Sequence, residues 1–355
     1  MQTGYYNIHN IVKYKLNGPK NFVKFSRYSN YETKHLKNDE IDFSVNIKKF
    51  TPKNKNCNIL DGKYYIKKDY IYCKESYKAF KWEIELENFE NGNINVNINI
   101  KSFPKLKLFY TLIEGFIIDA LIHYIISTKL NNLIHASCVD LKGNGILFVA
   151  RGGAGKTTIS TNLINKGFNF ISDNYTILRP DGTLMGFVEP LNLFTYNSGE
   201  MHDKIKMTQN IELKINYLIY KITGGYVKIF TKMNPFDILS DKIKEKTNLN
   251  ALFLIIPSKR LKKMELSEIS KSEMVEHIIF NQKIEFPFFN RYITAYSYVY
   301  PDNEFSNHWK SYKKNLNDNL NLNIPLYKIY VPLSYENNVF NDIQKVIENE
   351  AAAKL

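Results

Sequence analysis

Residues 150–158 read Ala150-Arg151-Gly152-Gly153-Ala154-Gly155-Lys156-Thr157-Thr158. The run matches GxxxxGK[ST], the Walker A pattern, at every fixed position except the first, where Ala150 stands in place of glycine. Successive small residues let backbone N–H groups turn inward around phosphates, and the N-terminus of a following helix adds its dipole at the same point. The expected nucleotide-binding set is therefore Arg151, Gly152, Gly153, Ala154, Gly155, Lys156, Thr157 and Thr158. In this pattern the lysine bridges the β- and γ-phosphates of ATP or another nucleoside triphosphate, and the hydroxyl of Thr157 takes a position on Mg2+. If the first position needed positive φ, Ala150 would be strained by about 1 kcal/mol or more.

The flanks supply the context the motif requires. Residues 146–150 (ILFVA) read as a strand, and residues 156–166 (KTTISTNLINK) as a helix with Gly167 in the C-terminal capping position. Residues 168–172 (FNFIS) read as a second strand, ending at Asp173. Strand, loop, helix, strand is a phosphate-binding βαβ unit. Just upstream, residues 133–141 (LIHASCVDL) and 146–150 flank Lys142-Gly143-Asn144-Gly145, which is a hairpin signal. A carboxylate at the carboxyl end of the strand after the loop helix lies beside the γ-phosphate. Asp173 is thus expected to accept the proton of an attacking hydroxyl, to contact Mg2+, or both; the competing reading is a turn-forming Asp-Asn pair. His135, between Ile134 and Ala136 on an apolar strand, reads either as a core histidine or as an active-site group.

Working outward, residues 1–105 alternate apolar and polar, as in 63–71 (KYYIKKDYI), 79–86 (AFKWEIEL) and 94–100 (INVNINI). Period two with turn signals between the runs predicts a mostly antiparallel β module, a candidate for recognising an acceptor. Residues 106–350 form the expected phosphate-loop domain, and 351–355 (AAAKL) read as a vector-derived tail. Residues 106–127 (LKLFYTLIEGFIIDALIHYIIS) approach membrane-spanning length, but Glu114, Asp119 and His123 interrupt them, so a buried amphipathic helix is expected. Further strands are expected over 217–222, 226–230, 251–256 and 327–331, and helices over 271–280 and 338–348. The expected core is a sheet largely parallel around the nucleotide, with antiparallel additions.

Composition removes several classes. Aromatic residues at 14% and hydrophobic residues at 44% exclude a disordered chain. The net charge of +13 suits acidic partners, yet no basic block concentrates it, so no nucleic-acid partner is expected. Cys57, Cys73 and Cys138 form no CxxC pair and read as reduced core residues. The N-terminus has no basic-then-apolar signal pattern, so the expected compartment is the cytoplasm, with no membrane partner.

From His135 to Asn174 the order of features resembles the HPr kinase/phosphorylase family and its wider set of kinases related to ATP-dependent phosphoenolpyruvate carboxykinase. The elements are His135-Ala136, the strand 139–141, the turn 143–145, the loop 150–157, Gly167, and Ser172-Asp173-Asn174. The hairpin before the loop is the discriminating part. The resemblance implies an α/β fold: a phosphate-loop core of HPr-kinase type with a mixed sheet, preceded here by the β module. It further implies that Asp173 deprotonates a target serine, that His135 sits beside the phosphates with Lys156, and that relatives assemble as homo-oligomeric rings. Two departures stand out. Asn174 occupies the place of a second acidic residue, and the family's downstream acidic-arginine-glycine signature is absent, which argues against HPr as the target. Glu189, in Val188-Glu189-Pro190, falls where a further active-site element would lie. Divergent relatives with an added N-terminal β module resemble this chain in layout and phosphorylate serine in natural-product precursor peptides. The sequence leaves three functions open: a serine kinase for a peptide or protein, a small-molecule hydroxyl kinase, and a nucleotide-binding regulator without turnover.

Overall fold

The computed structural model describes residues 1–23, 27–90, 92–101, 107–194, 214–215, 218, 222, 230–239, 241–261, 263–320, 323–332, 341 and 343–346. The chain divides into two compact units, Met1–Leu133 with Ile279–Asp318, and Ile134–Ile278 with Asn319–Leu355. The boundary read at residue 105 therefore falls inside the first unit, which also recruits a distant stretch of chain.

The first unit is built on a nine-stranded sheet in the order Glu32–Thr33, Gln2–Ile8, Val12–Gly18, Phe43–Ile47, Ile94–Ile100, Phe80–Glu87, Tyr70–Tyr77, Tyr64–Lys67, Asn58–Leu60. Its pairings are antiparallel except where Phe43–Ile47 runs parallel to both of its neighbours. The period-two pattern does its expected work: Ile94, Val96 and Ile98 are fully or almost fully buried, while alternate positions form a polar ladder. In that ladder Asn17 donates to Asn46 at 2.7 Å, Asn46 to Asn97 at 3.2 Å, and Asn97 to Glu85 at 3.3 Å. The expected single strand over 63–71 is two strands, because the turn at Lys68-Asp69 puts Asp69 at φ 57°. Aspartate tolerates this left-handed conformation, so a two-residue hairpin turn fits inside an unbroken apolar–polar alternation.

The apolar stretch after the sheet runs as helix Lys107–Ile113, a π-helical turn Glu114–Ile118 and helix Asp119–Thr128. By length and composition Phe109–Thr128 could cross a membrane, but 78% of its apolar window is buried in the fold. The charges that interrupt it have internal partners. Arg27 pairs with Asp119 at 3.0 Å, the Tyr28 hydroxyl donates to Asp119, and the Arg27 amide donates to Glu114 at 3.3 Å. The aromatic runs near residue 290 also pack as core: Phe288, Phe289, Tyr292 and Tyr296 of helix Pro287–Val299 are buried, and Trp82 contacts both Phe109 and Phe288.

Within the second unit the sheet runs Tyr175–Leu178, Thr183–Phe187, Lys246–Ser258, Asn144–Val149, Ala136–Leu141, Asn169–Ser172. Leu326–Pro332 adds along the end of Lys246–Ser258, and Glu265–Glu268 pairs with Leu326–Pro332. The mixed character is as expected, but the sheet is not largely parallel. Asn144–Val149 with Lys246–Ser258, and Lys246–Ser258 with Leu326–Pro332, run parallel, whereas Ala136–Leu141 and Thr183–Phe187 are each antiparallel to both of their neighbours. The reason is the hairpin, which occupies one side of Asn144–Val149 and displaces Asn169–Ser172 to the next place, antiparallel to Ala136–Leu141. Its turn carries Lys142 at φ 53° and Gly143 at φ 94°, the paired left-handed residues whose twist matches that of the strands. Helix Lys156–Asn165 buries Ile159, Leu163 and Ile164 against Val139, Ile146 and Phe148.

The helix expected over 271–280 runs as Lys271–Glu285, and the strands expected over 251–256 and 327–331 lie within Lys246–Ser258 and Leu326–Pro332. Described residues of 338–348 are helical. The strand expected over 217–222 is overturned, since Leu218 and Ile222 have helical backbone. A short apolar run has no decisive period, and the four-residue spacing of those two side chains suits a helix as well. Residues 226–229 and 351–355 lie outside the described residues.

Candidate functional site

Strand Asn144–Val149 delivers the chain into Ala150, which is 2% exposed and packed in the hydrophobic cluster under the helix. Ala150 is not among the residues with positive φ, so the strain considered for an alanine there does not arise. The left-handed positions are Gly153 at φ 79° and Gly155 at φ 94°, both glycines, where a side chain would be strained. Arg151, Gly152 and Gly153 are exposed, and the Ala154 amide closes the turn onto Arg151 O at 3.2 Å. Gly155 is the N-cap of Lys156–Asn165 and offers no capping side chain.

Lys156 opens the helix and is buried, with its ammonium turned back on the root of the loop. It donates to Ala150 O at 2.7 Å, reaches Arg151 O at 3.4 Å, and lies 3.2 Å from His135 Nε2. His135 itself sits at a bend between strands Asn132–Ile134 and Ala136–Leu141, so the single strand expected over 133–141 is interrupted at this residue. Its ring packs against Tyr175 at 5.5 Å.

At the next residue, Thr157 Oγ1 donates to Asp173 Oδ2 at 2.9 Å. Asp173 follows strand Asn169–Ser172, and its other oxygen, Oδ1, is buried without a hydrogen-bond partner. Burial pushes its carboxyl above the usual range; the Thr157 hydroxyl and the Lys156 charge pull it back, and Glu189 pushes it up again. Next to it, Asn174 donates through Nδ2 to Glu189 Oε2 at 3.0 Å, with Glu189 buried. Thr158 is half-buried, and its carbonyl accepts from Asn162 at 2.9 Å.

The structure therefore gathers His135, Lys156, Thr157 and Asp173 into one chain of contacts around the loop, with Asn174 and Glu189 beside it. Arg151, Gly152 and Gly153 lie out on the exposed turn. Among the described residues no three His, Cys, Asp or Glu side chains come together as a metal site. A hard divalent cation that keeps phosphate and water ligands needs only one or two protein oxygens. The orphaned Asp173 Oδ1 and the adjacent Thr157 hydroxyl fit that requirement.

Three features were missed from the sequence. Tyr175 braces His135, Asn174 engages Glu189, and Ser172 and Thr176 share a hydrogen bond of 2.6 Å beneath the Asp173 turn. The last had a local signal, two hydroxyls spaced to meet across a tight turn. The pairing of Asn174 with Glu189 spans a hairpin and had none.

Together, fold and side chains define a mixed α/β protein with two large mixed sheets. No family model matches the sequence, and no curated protein matches it. Among solved structures it is similar to the HPr(Ser) kinase/phosphatase from Coxiella burnetii, at 11% identity and a TM-score of 0.30, covering 63% of this chain and 92% of that one. That likeness is distant.

Proposed function

We propose that this chain binds a nucleoside triphosphate, ATP in the simplest case, at the turn 150–158, and transfers its γ-phosphoryl group to a hydroxyl. The observation that carries the reading is the contact between Thr157 and Asp173. It ties a carboxylate to the first turn of the helix whose amides and lysine would grip the phosphates. In the reaction the acceptor oxygen forms a bond to the γ-phosphorus as the bond from phosphorus to the bridging oxygen breaks. The acceptor proton passes to Asp173, whose raised carboxyl is a better base than a solvent-exposed one, and the nucleoside diphosphate leaves. Lys156 neutralises charge that develops on the phosphate oxygens. Thr157 and Asp173 are the residues that would hold Mg2+, which would supply Lewis-acid stabilisation of the same charge.

For the acceptor, we propose serine on a peptide or protein, in the cytoplasm, with no nucleic-acid or membrane partner and with a homo-oligomer as the assembled form. The support is the resemblance carried by the run from His135 to Asn174 and the added β module. A small-molecule hydroxyl acceptor is the alternative within the same chemistry. The regulator without turnover is favoured by one observation: the Lys156 ammonium is already engaged by loop carbonyls and His135.

Mass spectrometry of peptides and small molecules incubated with the chain, ATP and Mg2+ tests these readings. A gain of one phosphate on an acceptor, abolished by Asp173→Asn, supports the kinase. Tight ATP binding with no labelled acceptor and no effect of Asp173→Asn leaves the regulator.

A further inference from the structure

The contact between Lys156 and His135 can be taken one step further, as a deepening of the nucleotide-binding reading on which it rests. An ammonium has three protons and no lone pair, so every nitrogen or oxygen it contacts must accept. A charged Lys156 therefore requires His135 Nε2, 3.2 Å from its Nζ, to be the accepting, unprotonated ring nitrogen. Ala150 O, at 2.7 Å, is the second acceptor and belongs to buried backbone. Arg151 O is the third and longest contact, at 3.4 Å, and belongs to the exposed turn.

We infer that His135 is a positioning residue for Lys156: together with Ala150 O it holds the ammonium in place, and the third donor, now directed at Arg151 O, is the one passed to the ligand phosphate. Four rotatable bonds give an unheld lysine a large rotamer entropy, and a site that must meet a phosphate at a fixed point gains by removing it beforehand. His135 is suited to this because it is 3% exposed, is fixed at a bend between two strands, and is backed by the Tyr175 ring. Exchanging a long contact to a neutral carbonyl for a charged phosphate oxygen strengthens the hydrogen bond made by that donor. On this reading His135 touches neither phosphate nor acceptor, and its effect on binding passes through Lys156.

Two measurements test it. The first needs no nucleotide: the rate at which an amine-reactive ester labels Lys156, followed by mass spectrometry. His135→Phe fills the space without an acceptor and is expected to speed labelling about tenfold, the effect of losing one hydrogen bond to a charged group. His135→Gln, whose amide oxygen accepts, is expected to label at the wild-type rate. Equal rates in wild type, His135→Phe and His135→Gln would overturn the inference. The second is calorimetry with Mg2+ and a non-hydrolysable ATP analogue. His135→Phe should weaken binding about tenfold, Lys156→Ala should weaken it more, and the double variant should be no weaker than Lys156→Ala alone. If the two effects multiply, His135 acts independently of Lys156 and the inference is wrong. If labelling responds as expected while even the wild type binds no nucleotide, the positioning role stands and the nucleotide-binding reading falls.

Discussion

Two aspartates in the second unit, Asp140 and Asp173, end up in opposite electrostatic states. Asp140, at the far end of strand Ala136–Leu141, accepts from Lys244 at 2.6 Å, Thr247 at 2.7 Å, Asn169 at 3.0 Å and the Gly143 amide at 2.9 Å. Burial pushes its carboxyl up, yet Lys244, Thr247 and Asn169 together hold it below the usual range. Asp173 has the Thr157 hydroxyl on one oxygen and nothing on the other, and its carboxyl lies above the usual range. A buried acid whose lone pairs are all used stabilises a fold. One left half-satisfied keeps the capacity to bind a proton or a cation, at the expense of stability.

The widest separation between the two is expected in turnover. Asp173→Asn should lower the rate of phosphoryl transfer, measured at saturating nucleotide and Mg2+, by roughly 10²–10⁴-fold. Asp140→Ala should leave chemistry per folded molecule intact but cost about 1–3 kcal/mol in chemical denaturation, because it leaves the buried Thr247 hydroxyl without its acceptor. A stable Asp140→Ala protein, or an inert Asp173→Asn substitution, would erase the contrast.

Acidity sharpens it further. Asp140 is depressed in the folded state, so its stabilisation is present above the unfolded value of about 3.9 and is lost as pH falls towards the folded value. Asp173 is raised, so its contribution has the opposite sign: it is present below the unfolded value and disappears as pH rises through the folded one. Asp173→Asn should therefore raise Tm at neutral pH, and the gain should vanish as the pH is lowered into the carboxylate range. A Tm difference independent of pH would contradict the raised carboxyl. The smallest expected effect distinguishes neighbouring glycines. Gly153→Ala should cost about 1 kcal/mol, since Gly153 has φ 79°, whereas Gly152→Ala should be close to neutral, since an added Cβ meets nothing within 4 Å. Equal losses in thermal denaturation would show that the turn is held by something other than backbone conformation.

Much of this region was legible in the chain itself. The hairpin, the loop, its helix and the strand that ends at Asp173 each occupy a short continuous stretch, where a left-handed glycine, a capping position or a period of two is decided by neighbours a few residues away. The polar ladder of the first unit followed from the same alternation. What escaped was either hidden inside a short ambiguous pattern or non-local. The alternation over 63–71 concealed a turn that aspartate makes inexpensive, and the short apolar run over 217–222 could not declare its period. The order of strands around Asn144–Val149 depended on which neighbour the hairpin claimed.

The sequence by itself determined which residues could serve at the loop: small ones where the backbone must turn, a lysine at the helix start, a hydroxyl after it and a carboxylate at the end of the next strand. Those choices are written in local stereochemistry and spacing. Only the tertiary structure decided that Lys156 leans on His135, that Thr157 reaches Asp173, that Asn174 is taken up by Glu189, and that residues 279–318 join the first unit. These pairings close long stretches of chain, and what selects them is burial: a polar group taken out of water must find a partner wherever packing brings one, whatever the distance along the sequence.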